Sequence, residues 1–394
     1  DGRIAMGIIK EAQAINDDLI KIRREFHKYP EVSGCEKETS KRVAEHLRKL
    51  GYEVTEGIGG YGVIATLKGN PEGRTVALRA DMDALQIQEL GETEYKSRYA
   101  GIMHACGHDN HMTILLGAAR LLIQQKDNLL GTVRLIFQPS EELSPTGGSR
   151  KMIEEGALDG VDAVFGLHVW PELSHGTVGI KAGPLMAASD HFSVEIHGQS
   201  SHAAKPDCGI DAVVMGAQFV EAVQNIVSRE TSPLKSAVVT IGTFHAGTRY
   251  NILAEECSLE GTCRTLDEEV REHAENSLRN ILDGVCLMHG ATGELNYERG
   301  YMAVVNDRDM VELVKGTASE LFGADMVEDI QEPSMCAEDF AFYLKECPGA
   351  FVWLGTRTDQ LNYPIHNSCF DVDEDILWRG AALLAETAIN FLSR

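Results

Sequence analysis

The sequence predicts an α/β protein: a central sheet flanked by helices, with a smaller α+β domain inserted into it. Three observations carry this expectation. Short apolar runs alternate with helical stretches over the first half of the chain, as in α/β sheets covered on both faces. Carboxylates and histidines fall at or just past the C-terminal ends of several of these runs, the edge at which open α/β sheets gather ligands. From about Lys181 the texture changes to strand-helix-strand-strand-helix-strand with half-buried alternation, the ferredoxin-like order.

Taken in order, an amphipathic helix is expected over 8–26, closed by Lys28-Tyr29-Pro30, and a second over 38–50, stopped by Gly51 as a left-handed cap. Buried strands follow at 62–67, 75–79, 133–137 and 163–168, with helices at 112–126 and 148–155. In the insert, strands are expected at 192–196, 237–244, 257–264 and 293–298, and helices at 210–228 and 267–289. Helices at 307–322, 337–346 and 375–392 and a strand at 350–354 read as the first domain resuming. The expected division is a discontinuous domain, 1–182 and 300–394, interrupted by a domain at 183–299.

Bulk properties narrow the function classes. A chain of 394 residues favours more than one domain. With 36 basic and 60 acidic side chains the net charge is −24, which disfavours nucleic acid or an anionic membrane surface as partner. No apolar stretch approaches the ~20 residues that span a bilayer. The opening Asp1-Gly2-Arg3 carries no basic segment followed by an apolar one, so no signal peptide is expected. Nine cysteines, odd in number and without repeated spacing, do not resemble a secreted disulfide framework, so a reducing, cytoplasmic setting is expected.

The most informative stretch is His104-Ala105-Cys106-Gly107-His108-Asp109-Asn110-His111, just before a helical apolar run. Cys106 and His108 stand two apart at a helix N-terminus, where thiolate and imidazole can face one borderline-soft ion such as zinc. Candidate ligands recur downstream: Glu142 after a buried strand, His168 within the next, and His366 in Pro364-Ile365-His366-Asn367-Ser368. Five ligands exceed one tetrahedral ion but suit two sharing a bridge, for which Cys106 sulfur is the choice. Two such ions would hold a water between them and lower its pKa. The pair Glu141-Glu142 then divides: Glu142 binds metal, and Glu141 takes the proton from the water and passes it to the leaving amine. Asp83 and Asp109 are expected to orient the ligand imidazoles. Taken alone, a Glu-Glu pair reads as a solvated surface feature and His168 as a core histidine. His104 and His111 read equally as supporting or structural.

Four segments now stand together: Arg79-Ala80-Asp81-Met82-Asp83-Ala84-Leu85, the Cys-Gly-His-Asp-Asn-His block, Gln138-Pro139-Ser140-Glu141-Glu142 and Gly166-Leu167-His168-Val169-Trp170. They resemble the dinuclear metallopeptidase family of aminoacylases, dipeptidases and glutamate carboxypeptidases. The likeness is closer to its amidohydrolase branch of N-acyl amino acid, hippurate and auxin-conjugate hydrolases. It continues through 187–192, His202-Ala203-Ala204-Lys205-Pro206, 261–264, 337–340 and His366-Asn367-Ser368, nearly the whole chain.

The resemblance implies a dinuclear-metal catalytic domain and a smaller lid or dimerisation domain, with a homodimer formed through the lid. It implies that Cys106, His108, Glu142, His168 and His366 bind metal and that Glu141 is the general base, with Asp83 supporting catalysis. It implies further that His202, from the lid, stabilises the tetrahedral oxyanion, and that Asn251 and Arg264 hold the substrate's free carboxylate. Gln86, Ala254, Asp207 and Cys336 depart from the family pattern, and Asp207 and Cys336 leave the substrate preference open.

The expected activity is that of a metal-dependent amidohydrolase, cleaving a small-molecule N-acyl amino acid at its amide through a metal-bridging hydroxide. The alternative within enzymes is a dipeptidase or carboxypeptidase of the same mechanism. A non-catalytic metal-binding homologue is disfavoured by the intact Glu141. The cofactors expected are two divalent ions per subunit: thiolate favours zinc, and the carboxylate and imidazole ligands also accept manganese, cobalt or nickel.

Overall fold

The chain opens with three helices, α1 (Gly2–Ala14), α2 (Asn16–Lys28) and α3 (Lys37–Leu50). The single helix expected over 8–26 is therefore two, divided at Ile15. Asn16, Asp17 and Asp18 restart it, because such side chains compete for local backbone groups inside a helix but are favoured in a first turn. α3 ends as expected at Gly51, whose φ of 95° is left-handed, with the Tyr52 N–H returning to the Leu47 carbonyl at 3.1 Å.

The computed structural model describes residues 2–70 and 73–394. The elements that follow are β1 (Glu53–Ile58), β2 (Gly62–Lys68), β3 (Arg74–Asp81), α4 (His108–Gln124), β4 (Gly131–Gln138), α5 (Ser149–Glu154), β5 (Ala163–Ser174), β6 (Val178–Ile180) and β7 (Gly183–Met186). Next come β8 (Ala188–His197), α6 (Ala212–Asn225), β9 (Ala237–Ala246), β10 (Glu256–Thr265), α7 (Glu268–His289) and β11 (Thr292–Tyr301). The last are β12 (Val304–Asn306), α8 (Arg308–Phe322), β13 (Val327–Asp329), α9 (Ala341–Glu346), β14 (Gly349–Arg357) and α10 (Ile376–Leu392). Two units emerge: one up to Leu185 with Val304–Glu332 and Asp339–Arg394, the other Met186–Ala303 with Pro333–Glu338. The helix expected over 337–346 is the shorter α9. Among the described residues no helix is long and apolar enough to cross a membrane.

The first unit is α/β, built on an eight-stranded sheet of order β1-β2-β4-β3-β5-β14-β6-β13. Its centre, β4-β3-β5-β14, is parallel, whereas β1/β2, β2/β4 and β14/β6 are antiparallel, so the sheet is mixed. β1 escaped the sequence reading because it is a largely exposed edge strand without an apolar run. The central strands are buried on both faces, and Phe137, Phe165 and Phe351 are wholly inside. Each such side chain contributes about 1.5–3 kcal/mol of burial free energy. α4 is buried nearly all round, packed against α10, α2 and β3, so its N-terminus is fixed against the C-terminal sheet edge.

The second unit is a β-α-β-β-α-β array with an antiparallel sheet of order β11-β8-β10-β9. Phe192, Val194 and Ile196, alternating along β8, share a core with Phe219 of α6 and Leu278 and Leu282 of α7. One buried ion pair ties its strands. Asp190 on β8 accepts from Arg271 Nε at 2.9 Å and Nη2 at 2.5 Å, from the Tyr297 hydroxyl at 2.7 Å and from the Gly300 N–H at 3.0 Å. Asp190→Ala leaves a guanidinium buried without its partner, a change that costs about 3–5 kcal/mol. Urea unfolding followed by circular dichroism should show the loss; a change below about 1 kcal/mol would contradict this role.

Candidate metal centre

The chemistry-bearing side chains of the first unit sit where three parallel strands end. β3 terminates at Asp81 and runs on to Asp83; β4 terminates at Gln138 and turns through Pro139-Ser140 into Glu141-Glu142; β5 carries His168. Gly107, at φ 87°, turns the chain into α4, so that Cys106 stands just before the helix and His108 is its first residue. A Cβ added at Gly107 would overlap the Val169 side chain, so this tight passage needs glycine. Ser140 (φ 59°) and His366 (φ 63°) are the non-glycine residues with left-handed backbone, and both adjoin or belong to the candidate ligand set.

The five sequence-designated ligands lie together. Cys106 Sγ is 3.4 Å from His168 Nε2 and 3.2 Å from His366 Nε2. Glu142 Oε1 is 3.2 Å from His366 Nε2 and 3.9 Å from His108 Nε2. The donors form two groups, Cys106–His108–His168 and Cys106–Glu142–His366, with the atoms of each within 4.8 Å of one another and Cys106 common to both. The Glu141 carboxylate joins His108 and Glu142 in a third such group, and Glu141 is buried. His168 donates from Nδ1 to the Val169 carbonyl at 2.7 Å, which turns the lone pair of Nε2 toward Cys106.

These residues fit divalent cations. His108 Nε2 and Glu142 Oε1 are buried without a hydrogen-bond partner, an arrangement that costs free energy unless something positive satisfies it. Burial, together with Glu142, Glu141 and Asp81, pushes the Cys106 thiol well above its ordinary value. A cation reverses that balance, since coordination deprotonates a thiol outright. Burial works against a charged His108, but Asp81, Asp83 and Glu142 outweigh it and raise the imidazole to about 10.

The supporting residues are partly those expected. Asp83 Oδ1 lies 3.3 Å from His108 Nδ1, while Oδ2 accepts from the Ser33 hydroxyl at 2.6 Å and the Glu142 N–H at 2.9 Å. Asp83 therefore faces an imidazole and a backbone amide. Asp109 does not touch a ligand imidazole as expected: it accepts from Arg23 Nε at 2.8 Å and His27 Nδ1 at 2.7 Å. Successive residues of a helix point ~100° apart, so when His108 faces the sheet edge Asp109 faces α2. Asp81 takes a supporting place instead, accepting from His111 Nδ1 at 2.6 Å and lying 3.7 Å from His108 Nδ1. His111 is hydrogen-bonded at both nitrogens, its Nε2 accepting the Val169 N–H at 3.0 Å, so it is structural. His104 is buried, and burial lowers it to about 3, so it stands neutral.

Sequence reasoning missed the groups behind this layer. Arg79, fully buried, donates to Asp81 at 2.7 Å and to Asp339 at 3.0 Å. Arg23 holds Asp109 and Asp371, and His27 adds Glu89 at 3.2 Å. The available signal was on α2, where Arg23 and His27 share the buried face with Leu19 and Phe26 at helical spacing.

In the second unit, His202 Nδ1 accepts the Ala204 N–H at 3.0 Å, which leaves the ring proton on Nε2. The Asn251 carbonyl accepts the Ala203 N–H at 3.1 Å, bringing Asn251 beside His202, and its side-chain Oδ1 is buried without a partner. Arg264 stands apart from that pair on β10, donating to Thr262 Oγ1 and, at 3.1 Å, to the Cys263 carbonyl.

Residues 77–390 match the family described as peptidase family M20/M25/M40. The chain is 42% identical over 388 residues to thermostable carboxypeptidase 2 of Saccharolobus solfataricus, covering 98% of both. It is 40% identical over 378 residues to N-acetyl-L-cysteine deacetylase of Bacillus subtilis, covering 96% of this chain and 89% of that protein. A solved Bacillus subtilis structure, described as a dinuclear metal binding peptidase of the M20 family, superposes with a TM-score of 0.85 at 36% identity, covering 97% of this chain and 99% of the other.

The buried His27 gives a pH test. Burial and Arg23 oppose its charge, but Asp109 and Glu89 prevail and raise it to about 9, above an unfolded value near 6.5. Its contribution is therefore fully present below pH ~6.5 and lost as pH rises through about 9. The wild-type advantage over His27→Gln in urea, on the order of 2 kcal/mol, should shrink across that window. A difference independent of pH would contradict the charged pair.

Proposed function

This chain belongs to peptidase family M20/M25/M40, and on that premise we propose that it is a metal-dependent amidohydrolase releasing an amino acid from its N-acyl derivative. One observation carries the reading: two donor groups that share Cys106 stand beside a further buried carboxylate, Glu141. A protein that only stored metal would need the donors but not the base. The likeness to an N-acetyl-L-cysteine deacetylase supports an acyl group, rather than a longer peptide, on the cleaved nitrogen.

In this proposal Cys106, His108, Glu142, His168 and His366 hold two divalent cations. When bound, the cations supply Lewis acidity and a water of lowered pKa. Glu141 takes the proton of the attacking water and delivers it to the departing amine nitrogen. Asp83 fixes the His108 ring and the Glu142 backbone, so that base and ligands keep their register. His202, with its proton on Nε2, is assigned to the oxyanion, and Asn251 and Arg264 to the free carboxylate. The catalytic role falls to the discontinuous domain and the lid role to the insert. Zinc is favoured by the thiolate, with manganese next.

Two further elements belong to the reading. β9 is an edge strand whose Val238 and Phe244 are exposed, which supports homodimerisation through the insert. All nine cysteines are free, which supports a reducing cytoplasmic setting. A second reading, a carboxypeptidase acting on peptides, has the likeness to the Saccharolobus protein behind it.

The test is amino acid release from N-acetyl, N-benzoyl and N-indolylacetyl amino acids and from dipeptides, with zinc or manganese added. Turnover of the N-acyl substrates is expected, abolished in Glu141→Gln with metal still bound. Cleavage of dipeptides alone would establish the second reading, and retained turnover in Glu141→Gln would overturn the base assignment. His202→Ala should lower kcat by ~10²–10³, and a near-wild-type rate would remove it from the oxyanion.

A further inference from the structure

The segment Glu31-Val32-Ser33-Gly34-Cys35-Glu36 was silent in the sequence, yet its side chains converge on the turn that carries Glu141 and Glu142. Glu36 stands at the N-cap of α3 but makes no side-chain cap there. Glu31 does that instead, its carboxylate accepting the N–H groups of Glu38 at 3.2 Å and Thr39 at 2.7 Å. Glu36 is thereby released to reach across the chain. Wholly buried, its Oε1 accepts the Ser140 N–H at 2.7 Å and the Ser140 hydroxyl at 3.3 Å. Its Oε2 is buried without a partner.

Ser140 is the left-handed, non-glycine residue immediately before Glu141. Two residues on, the Glu142 N–H is held by Asp83, which the Ser33 hydroxyl holds in turn. Glu141 thus lies between two backbone amides, each fixed by a buried carboxylate. The segment is itself moored to β3's continuation, since the Ala84 N–H donates to the Glu31 carbonyl at 2.8 Å.

We propose that Glu36 is a positioning residue for the Glu141–Glu142 pair, holding the Ser140 turn in its left-handed conformation so that base and metal ligand are presented together. The proposal rests on the reading of Glu141 as base and Glu142 as ligand. Glu36 touches neither substrate nor cation. A role confined to stabilising α3 is disfavoured, because the helix start is capped by Glu31. Burial and the facing Asp83 raise the Glu36 carboxyl to about 7, so an uncharged amide is a close substitute for it.

Three variants and a rescue test this. Glu36→Gln keeps an acceptor for the Ser140 N–H, Glu36→Asp keeps the charge but not the reach, and Glu36→Ala removes both. Adding Ser140→Gly to Glu36→Ala relieves the left-handed strain directly. Each is measured for kcat and KM, and, as apoprotein, for zinc affinity by competition with a chromogenic chelator. Glu36→Asp and Glu36→Ala should lose kcat by ~10²-fold with KM little changed, as expected when a reacting group is misplaced by about 1 Å. Zinc affinity should fall ~10–100-fold in the same variants. Glu36→Gln should stay within about threefold of wild type, and Ser140→Gly should recover about tenfold in the Glu36→Ala background.

Wild-type kcat and zinc affinity in Glu36→Asp would overturn the proposal, as would a Gln variant as damaged as the Ala one. Should Glu36→Ala fail to fold, the Gln and Asp pair decides. Weakened zinc binding in Glu36→Asp alongside a wild type silent on N-acyl amino acids would sustain the positioning role and refute the substrate reading.

Discussion

Buried charge that the polypeptide cannot neutralise by itself is the constraint around which this molecule is arranged. Asp81, Asp83 and Glu141 are buried at one sheet edge, with Glu142 mostly so, around a thiol that those carboxylates hold protonated. On the inner side the chain supplies its own cations. Arg79 faces Asp81 and Asp339, and Arg23 faces Asp109, Asp371 and Glu374. Removing one member of such a buried pair costs about 3–5 kcal/mol, so these arginines fix the floor of the centre. On the outer side His108 Nε2 and Glu142 Oε1 have no protein partner, and there the donor set calls for divalent cations.

Much of the local structure follows from delivering those groups to one place. The parallel strands β3, β4 and β5 end side by side, so whatever follows each strand arrives at a common edge. Short-range geometry then aims the groups. Gly107 admits the sharp passage from Cys106 to His108, and Ser140 takes a left-handed conformation to turn the chain away from β4. His366 does the same while its N–H donates to the Ala105 carbonyl at 2.7 Å, binding the late segment to the Cys106 loop. Strained backbone of this kind persists only where surroundings over-determine it. Here buried carboxylates and carbonyls do so.

The sequence was legible where periodicity or local chemistry was strong. The apolar runs gave the central strands because they are buried on both faces, and alternation along β8 gave the insert its sheet. The edge strand β1 was not legible, since exposed strands need no apolar pattern, and neither was the break at Ile15, which three polar residues impose. At the candidate centre, Cys106, His108, Glu142, His168 and His366 could be gathered because each stands at a strand end or in a donor-rich loop. Asp109 misled because adjacency in sequence is not adjacency around a helix. Glu36 and Arg23 were invisible for a different reason: their partners are 104 and 86 residues away, and nothing local marks a charged side chain as buried.

The most direct test of this account is metal content combined with X-ray absorption at the metal edge, on the purified protein loaded with zinc. Two ions per chain are expected, with a metal–metal separation of about 3.5–4 Å. A sulfur scatterer at ~2.3 Å should be present as well, and should vanish in Cys106→Ala. A single ion, or a coordination shell without sulfur in the wild type, would contradict the shared-thiolate centre on which the account rests.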